Sequence, residues 1–548
     1  MQSALTLVIA QLNFLVGDID GNAQRIIETV HQAQQQGAVD VVVFPELTLT
    51  GYPPEDLLLR PSLQKRIDRA LNSIADAILD VDVVLGCPYF IEGKLYNCAV
   101  LIHAGRIEAI YKKQHLPNYQ VFDEVRYFTP GDEAQVVHIK GVPVGLTVCE
   151  DIWFAGPARK AVAAGAHLII NINASPFHIN KRQEREQALK ARVAESQVPI
   201  VYTNMVGGQD ELVFDGNSLV IDQHGAIRFS APAFVEGVYS VQFNWDGSSV
   251  TLAAPSLPLS APVLTVEASA YNAMVLGLRD YINKNGFPGV VLGLSGGIDS
   301  ALSLAVAVDA LGAERVQAVM MPFRYTAAMS IEDAEAQAQR LGVRYLCLPI
   351  EAVYDAYKST LAPVFADRAV DKTEENLQAR CRGTLLMALS NKYGSMVLTT
   401  GNKSEMAVGY ATLYGDMVGG YNVLKDVYKT LVFRLATYRN NLPDGPIIPQ
   451  RVIDRPPSAE LAPGQVDEDS LPPYAVLDRI LELYVEQDYC AEDIVSAGFE
   501  REVVYRILRL VDLNQYKRDQ APVGVRITRR GFGKDRRYPI TCRWPAGQ

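Results

Sequence analysis

The chain has 548 residues, too many for one compact core at roughly 100–200 residues per domain, so two or three domains are expected. Hydrophobic residues make up 49% and charged residues 21%, a globular balance that excludes wholesale disorder. With 51 Lys and Arg against 62 Asp and Glu, the net charge of −11 disfavours a general nucleic-acid binder. The longest uncharged stretch, residues 247–266, contains Pro255, Pro258 and Pro262 among several serines and makes a poor membrane helix. No Lys or Arg precedes Arg25, so a basic secretory leader is not expected. Seven cysteines without paired spacing argue against a disulfide scaffold and a Cys-rich zinc site. These features read as a cytoplasmic multidomain protein with no nucleic-acid or membrane partner.

In the first half, short apolar runs predict strands at Leu5–Gln11, Val39–Phe44, Val81–Gly86, Ala99–His103, Val142–Val148, Leu168–Ile172 and Ile200–Thr203. Helical stretches are expected at Asn22–Gln36, Leu63–Leu79, Ala155–Ala164 and Arg182–Ser196. Continuous apolar strands between helices predict a layered α/β architecture. A Pro/Ser-rich stretch then marks a linker, placed at 246–268 between domains of 1–245 and 269–548. All seven histidines lie before residue 225, so the second domain has no imidazole base of its own. That domain reads as strand 290–294, helix 298–312, strand Val316–Met320, helix 330–341 and strand Met396–Thr399, the alternation of a doubly wound parallel sheet. From Pro443 to Pro473 lies a second proline cluster, with an acidic Asp467-Glu468-Asp469 stretch, which cannot continue a helix or a central strand. It is either a surface loop or a lid.

Three segments of the first domain carry reactive side chains. Phe44-Pro45-Glu46-Leu47 places a carboxylate at the end of an apolar strand, Tyr111 to Pro117 carries Lys113, and Leu146 to Trp153 places Cys149 where a buried strand ends. Strand C-termini in α/β sheets open onto the ligand crevice, so the three can meet. A thiol is a weak nucleophile until a base takes its proton or a cation lowers its pKa. Glu46 suits the first task, and Lys113 suits the second and the stabilisation of an oxyanion. Taken singly, an apolar-flanked cysteine is usually core and a lysine usually solvated. Together, the three segments and the opening Ile9-Ala10-Gln11-Leu12-Asn13 resemble the nitrilase/amidase superfamily, up to about residue 240. The resemblance implies an α-β-β-α sandwich that hydrolyses carbon–nitrogen bonds through a thioester, with Glu46, Lys113 and Cys149 as the catalytic triad. It also implies an auxiliary glutamate after the lysine, either Glu124 or Glu133.

In the second domain, Val290 to Ser300 runs from apolar strand through Ser295-Gly296-Gly297 into a helix. Adjacent glycines allow backbone N–H groups to converge on an anion at the helix N-terminus. Ser295 and Ser300 add hydroxyls, and Asp299 suits a Mg²⁺ ion bridging phosphates. The Walker lysine and the G-x-G-x-x-G pattern are both missing. The Ser-Gly-Gly-Ile-Asp-Ser run instead resembles the pyrophosphate loop of ATP pyrophosphatases, which cleave ATP to AMP while adenylating an acceptor. Glu375 to Arg380, Thr399 to Glu405, Gly415 to Met417, Lys425 to Thr430 and Pro456 to Leu461 resemble signature segments of the NAD synthetases. By that likeness Gly293, Leu294, Ser295, Gly296, Gly297, Ile298, Asp299, Ser300 and Thr400 bind ATP. Asn376, Glu405 and Lys517 contact deamido-NAD, and Asp299 with Glu405 holds Mg²⁺. Lys517 opens a basic closing stretch that otherwise reads as a solvated tail.

The whole chain therefore resembles the glutamine-dependent NAD synthetases. The resemblance implies glutamine hydrolysis at the first site, with Tyr119, Ser175 and Lys181 binding glutamine, and amidation of deamido-NAD at the second. It also implies a homo-oligomer. Two rival readings stay open on the residues alone: amination of another carboxylate, and a binding protein that has kept the folds without the catalysis.

Overall fold

The computed structural model describes residues 3–253, 261–462, 464–465, 467–469, 471–544 and 547. The chain divides into two compact units, Met1–Val263 and Leu264–Gln548. Among the described residues, no helix is long and apolar enough to cross a membrane.

The first unit contains strands β1 (Ser3–Gln11), β2 (Val41–Val43), β3 (Asp82–Ile91), β4 (Lys94–His103), β5 (Arg106–Lys112), β6 (Gln135–Ile139), β7 (Val142–Val148) and β8 (Leu168–Asn173). They are followed by β9 (Ile200–Asn204), β10 (Val206–Gln209), β11 (Leu212–Asp215), β12 (Leu219–Ile221), β13 (Ile227–Ser230), β14 (Gly237–Trp245) and β15 (Val250–Leu252). Its helices are α1 (Ile19–Gln36), α2 (Leu63–Ala77), α3 (Ala155–Ala163) and α4 (Lys181–Ser196). Seven strands form one sheet in the order β15-β14-β1-β2-β3-β4-β5, and six form another in the order β13-β12-β9-β8-β7-β6. The central strands, such as β2, β7, β8 and β9, are buried on both faces because each sheet is covered on both sides. Leu5, Leu7, Ile9, Val43, Leu146, Val148 and Ile172 fill the space between the sheets. Outside the first sheet, Ile26 and Val30 of α1 and Ile67 and Ile74 of α2 pack on Val8, Val83 and Val100. Outside the second, Ala158 of α3 and Leu189 and Val193 of α4 pack on Ile169 and Ile200. The unit is an α-β-β-α sandwich.

The second unit holds α5 (Val266–Lys284), β16 (Val290–Gly293), α6 (Ile298–Leu311), β17 (Val316–Met320), α7 (Ala328–Leu341), β18 (Arg344–Cys347), α8 (Glu351–Leu361) and α9 (Lys372–Tyr393). Then come β19 (Met396–Thr399), α10 (Lys403–Val408), β20 (Tyr421–Asn422), α11 (Lys429–Asn440), α12 (Gln450–Asp454) and α13 (Tyr474–Leu481), with further helices toward the C-terminus. All five strands are parallel, in the order β18-β17-β16-β19-β20. The order reverses between β16 and β19, so the crevice of this doubly wound sheet opens where the phosphate loop follows β16.

The expected linker stretch carries β15, paired with β14, and ends inside the first turn of α5; its residues 254–260 lie outside the described residues. The proline cluster departs from expectation by containing α12. Pro449 sits at its N-cap, before the first turn, where a proline removes no helical hydrogen bond.

Candidate active sites

Glu46 follows β2, Lys113 follows β5 and Cys149 follows β7, so the first sheet supplies two of these groups and the second sheet the third. Glycine at position 86 of β3 is what lets the Glu46 turn close in, because a Cβ there would lie 2.6 Å from the Glu46 Cα. Lys113 Nζ, wholly inaccessible to solvent, donates to Glu46 Oε1 at 2.7 Å and to both oxygens of Glu124 at 2.9 and 2.8 Å. Asn97 Nδ2 also donates to Glu46 Oε1 (2.8 Å), and the Ala174 N–H donates to Glu46 Oε2 (2.9 Å). Tyr52 OH donates to Glu124 at 3.0 Å. Of the two acidic residues weighed as auxiliary, Glu124 is buried in this cluster, while Glu133 is exposed and accepts from Gln114 only through its backbone carbonyl.

Burial works against the Lys113 charge, but Glu124 and Glu46 outweigh it and hold the ammonium well above its ordinary range. Burial and the nearby Glu46 push Glu124 up to about 7, against the pull of Lys113. Burial and the Glu46 charge push the Cys149 thiol well up, with Lys113 opposing. Cys149 itself has φ 42°, a left-handed conformation rare for a side-chain-bearing residue and common at reactive centres.

Around Cys149 stand the residues expected to bind glutamine. Tyr119 OH donates to Glu150 at 2.9 Å, and Lys181 Nζ lies 4.2 Å from the centre of the Trp153 ring. The Ser175 N–H donates to Asn204 at 3.0 Å, and its hydroxyl and carbonyl accept from Arg185 at 3.2 and 2.8 Å. Arg185 is itself buried against Asp215 at 2.8 Å.

In the second unit, Ser295, Gly296 and Gly297 form the turn between β16 and α6. The Ser295 N–H donates to the Ser300 hydroxyl at 3.2 Å, and the Gly297 N–H to the Ser295 hydroxyl at 3.2 Å. Gly296 has φ 79°, and a Cβ there would lie 2.2 Å from the Ser330 carbonyl oxygen. Leu294 and Ile298 point into the core; the Leu294 N–H is taken by the Val319 carbonyl (2.9 Å), which leaves the Ile298 N–H, in the first turn of α6, to face an anion. Gly293 closes β16, and Thr400 directly follows β19, the strand paired with it. Asn402 joins the two sides, donating to Asp299 Oδ1 at 3.0 Å.

Residues 270–521 match the family described as NAD synthase, and residues 6–248 the family described as carbon-nitrogen hydrolase. A glutamine-dependent NAD(+) synthetase of Acinetobacter baylyi is 49% identical over 539 residues, covering 98% of each chain. Another, of Xanthomonas campestris, is 51% identical over 548 residues and covers 99% of each. The chain belongs to the glutamine-dependent NAD(+) synthetase family. A structure of the Acinetobacter baumannii member, solved with adenosine diphosphate, superposes with TM-score 0.80 at 47% identity over the full length of both chains.

Two groups of this family member escape a reading of the sequence. Lys429, at the start of α11, forms ion pairs with Asp299 and with Glu405 (3.2 Å) at once. Both carboxylates therefore converge on one cation position. Burial and the Asp299 charge push Glu405 up to about 8, against the pull of Lys429. Carboxylate oxygens are the donors Mg²⁺ takes, and in this structure the cation these two face is the Lys429 ammonium. Glu150 is the second such group: it adjoins Cys149 in the chain, yet its buried carboxylate is bonded to Tyr119.

The remaining expected residues gather on the loop after α10. Asn376 accepts from Thr412 at 2.9 Å, and Lys517 Nζ donates to the carbonyls of Gly409 and Ala411 at 2.7 and 2.8 Å. The proline cluster lies on the phosphate loop. Arg455 donates to the Gly296 carbonyl and to Ser330 Oγ (3.1 Å), and Ser330 Oγ in turn donates to Glu460 at 2.6 Å.

Proposed function

We propose that the chain hydrolyses the side-chain amide of glutamine at Cys149 and uses the ammonia to convert deamido-NAD to NAD, with ATP cleaved to AMP and pyrophosphate. The observation that carries this reading is Lys113, buried with Glu46 and Glu124 on a chain that matches its relatives end to end. The resting thiol is neutral because burial disfavours the thiolate, so the proton must leave as Sγ attacks the amide carbon. Glu46 takes it, oriented by Asn97, Lys113 and the Ala174 N–H. Lys113 stabilises the oxyanion of the tetrahedral intermediate, and Glu124 holds Lys113 in place. The C–N bond breaks, the leaving nitrogen takes the proton from Glu46 and departs as ammonia, and water then splits the thioester to glutamate. Glu150 with Tyr119 suits the α-ammonium of glutamine, and Lys181 with Ser175 suits its α-carboxylate.

In the second unit, the loop from Gly293 to Ser300 binds ATP, with the phosphates at the N–H groups where α6 begins and Thr400 beside them. Asp299 and Glu405 would hold Mg²⁺, which when bound offsets charge on the phosphates. Asn376, Glu405 and Lys517 bind deamido-NAD, whose nicotinate carboxylate attacks the α-phosphorus and releases pyrophosphate. Ammonia then attacks the acyl carbon and expels AMP. Family likeness supports a cytoplasmic homo-oligomer, which light scattering of the purified chain tests.

The deciding experiment supplies ATP, Mg²⁺, deamido-NAD and glutamine labelled with ¹⁵N at its side-chain amide, in unlabelled ammonium buffer. Labelled NAD with matching AMP is the expected product. No NAD from either nitrogen source would refute the reading.

A further inference from the structure

Lys113 and Cys149 have to meet, yet β5, which leads into Lys113, and β7, which leads into Cys149, belong to different sheets. No backbone ladder between these two strands fixes their separation. The Asp151 side chain spans the gap. Asp151, fully buried, accepts four hydrogen bonds, and every donor belongs to one of the two catalytic segments. Its Oδ1 accepts from the N–H groups of Gln114 (3.0 Å) and His115 (2.8 Å), the residues directly after Lys113. Its Oδ2 accepts from Tyr111 OH (2.8 Å), two residues before Lys113, and from the N–H of Val148 (3.1 Å), directly before Cys149. The His115 ring also stacks on Phe154, with centroids 4.3 Å apart, so the same two segments touch again beyond the carboxylate.

We propose that Asp151 is a positioning residue for glutamine hydrolysis, holding the Lys113 segment against the Cys149 turn and holding that turn in its left-handed form. The inference rests on the glutaminase reading given above. The bond to Val148 N–H closes the turn in which Cys149 takes φ 42°, a conformation that persists only where its surroundings over-determine it. A link needed for packing alone could be apolar; burying a carboxylate is costly unless every acceptor site is used, and here both oxygens are doubly used. Only the ionised form accepts at all four positions. Burial raises this carboxyl to about 6, against the pull of the donors, so it is ionised at neutral pH.

The two sides of the strut can be cut separately. In Asp151→Asn, the amide oxygen still accepts from Gln114 and His115 and the NH₂ group can donate to the Tyr111 hydroxyl, but it cannot accept from the Val148 N–H, so the Cys149 side is broken and the Lys113 side keeps its partners. Tyr111→Phe removes one bond of the four and leaves the carboxylate intact. The assay measures NAD formation with glutamine and, separately, with ammonium as nitrogen source. For Asp151→Asn the expected result is a glutamine-driven kcat lower by about 100-fold, the scale of a small misplacement of reacting groups, with KM for glutamine and ammonia-driven synthesis unchanged. Tyr111→Phe is expected to lower the same kcat about tenfold. A wild-type kcat in Asp151→Asn overturns the proposal, as does a parallel loss with both nitrogen sources, which would mark a general structural role. If Asp151→Asn does not fold, a wild-type kcat in Tyr111→Phe overturns it instead. Failure of the unmodified chain to use glutamine at all would refute the glutaminase reading.

Discussion

Glutamate 124 gives the sharpest test of the buried cluster. Glu124→Gln keeps the shape and can keep one oxygen facing Lys113 and Tyr52, but it replaces the other oxygen, 2.8 Å from Lys113, with a donor. Lys113 then loses a charge-assisted bond worth about 1.5–3 kcal/mol and is left with Glu46 as its one anionic partner in the cluster. A lysine committed to Glu46 makes that carboxylate a poorer base, so the lost energy appears in the chemical step. At about 1.4 kcal/mol per factor of ten, the glutamine-driven kcat falls by about 10- to 150-fold. Because Glu124 is raised to about 7, it takes up a proton as pH falls through neutrality, loosening Lys113 in the same way. The unmodified chain should therefore show an acid limb near 7 in glutamine-driven kcat, and the variant, already neutral at 124, should lack it. Coupled spectrophotometric assays with glutamine and with ammonium across pH 5.5–8.5 (roughly the span over which a group of that pKa titrates) read both effects. Glu133→Gln serves as control, since its side chain is exposed. A wild-type kcat and profile in Glu124→Gln, or the same loss in Glu133→Gln, would refute the reasoning.

Other substitutions divide the two activities. Cys149→Ala should abolish glutamine-driven synthesis and leave ammonia-driven synthesis intact, as measured by NAD formed from each source; loss of both would argue against separable sites. Asp299→Ala, which removes a partner of both Lys429 and Asn402, should cripple synthesis from either source while glutamine hydrolysis continues, measured as glutamate release. Gly296→Ala should lower thermal stability, because left-handed backbone costs an alanine about 1–2 kcal/mol before the clash with the Ser330 carbonyl is counted. It should also weaken ATP binding, measured by calorimetry.

Much of the sandwich and the doubly wound sheet is legible in the sequence because buried strands are nearly continuous apolar runs, as in Val142–Val148 and Val316–Met320. Strand β5, with the sequence RIEAIYK, is missed because it lies at a sheet edge, where solvent admits charge. β20 is only two residues long and too short to show a period. The three reactive residues of the first unit are legible because each follows an apolar strand or sits in a recognisable motif. The choice between Glu124 and Glu133 is not, since it depends on burial rather than spacing. Lys429 lies in one of the segments singled out in the sequence, but its pairing escapes for a related reason: its partner Asp299 lies 130 residues away in the chain and only the fold brings them together.

The first sheet also closes late in the synthesis of the chain. β1 opens the chain, yet one of its two neighbours is β14, with Ser3 opposite Trp245. As the chain leaves the ribosome, Cys149 and Lys113 emerge well before β14, while the sheet that carries Glu46 and Lys113 still has an open edge beside β1. Contacts of such long sequence separation form late. A nascent chain therefore carries its thiol through the later part of the first unit's synthesis without a finished first sheet around it, and that sheet is complete only when the residues leading to the second unit are being made.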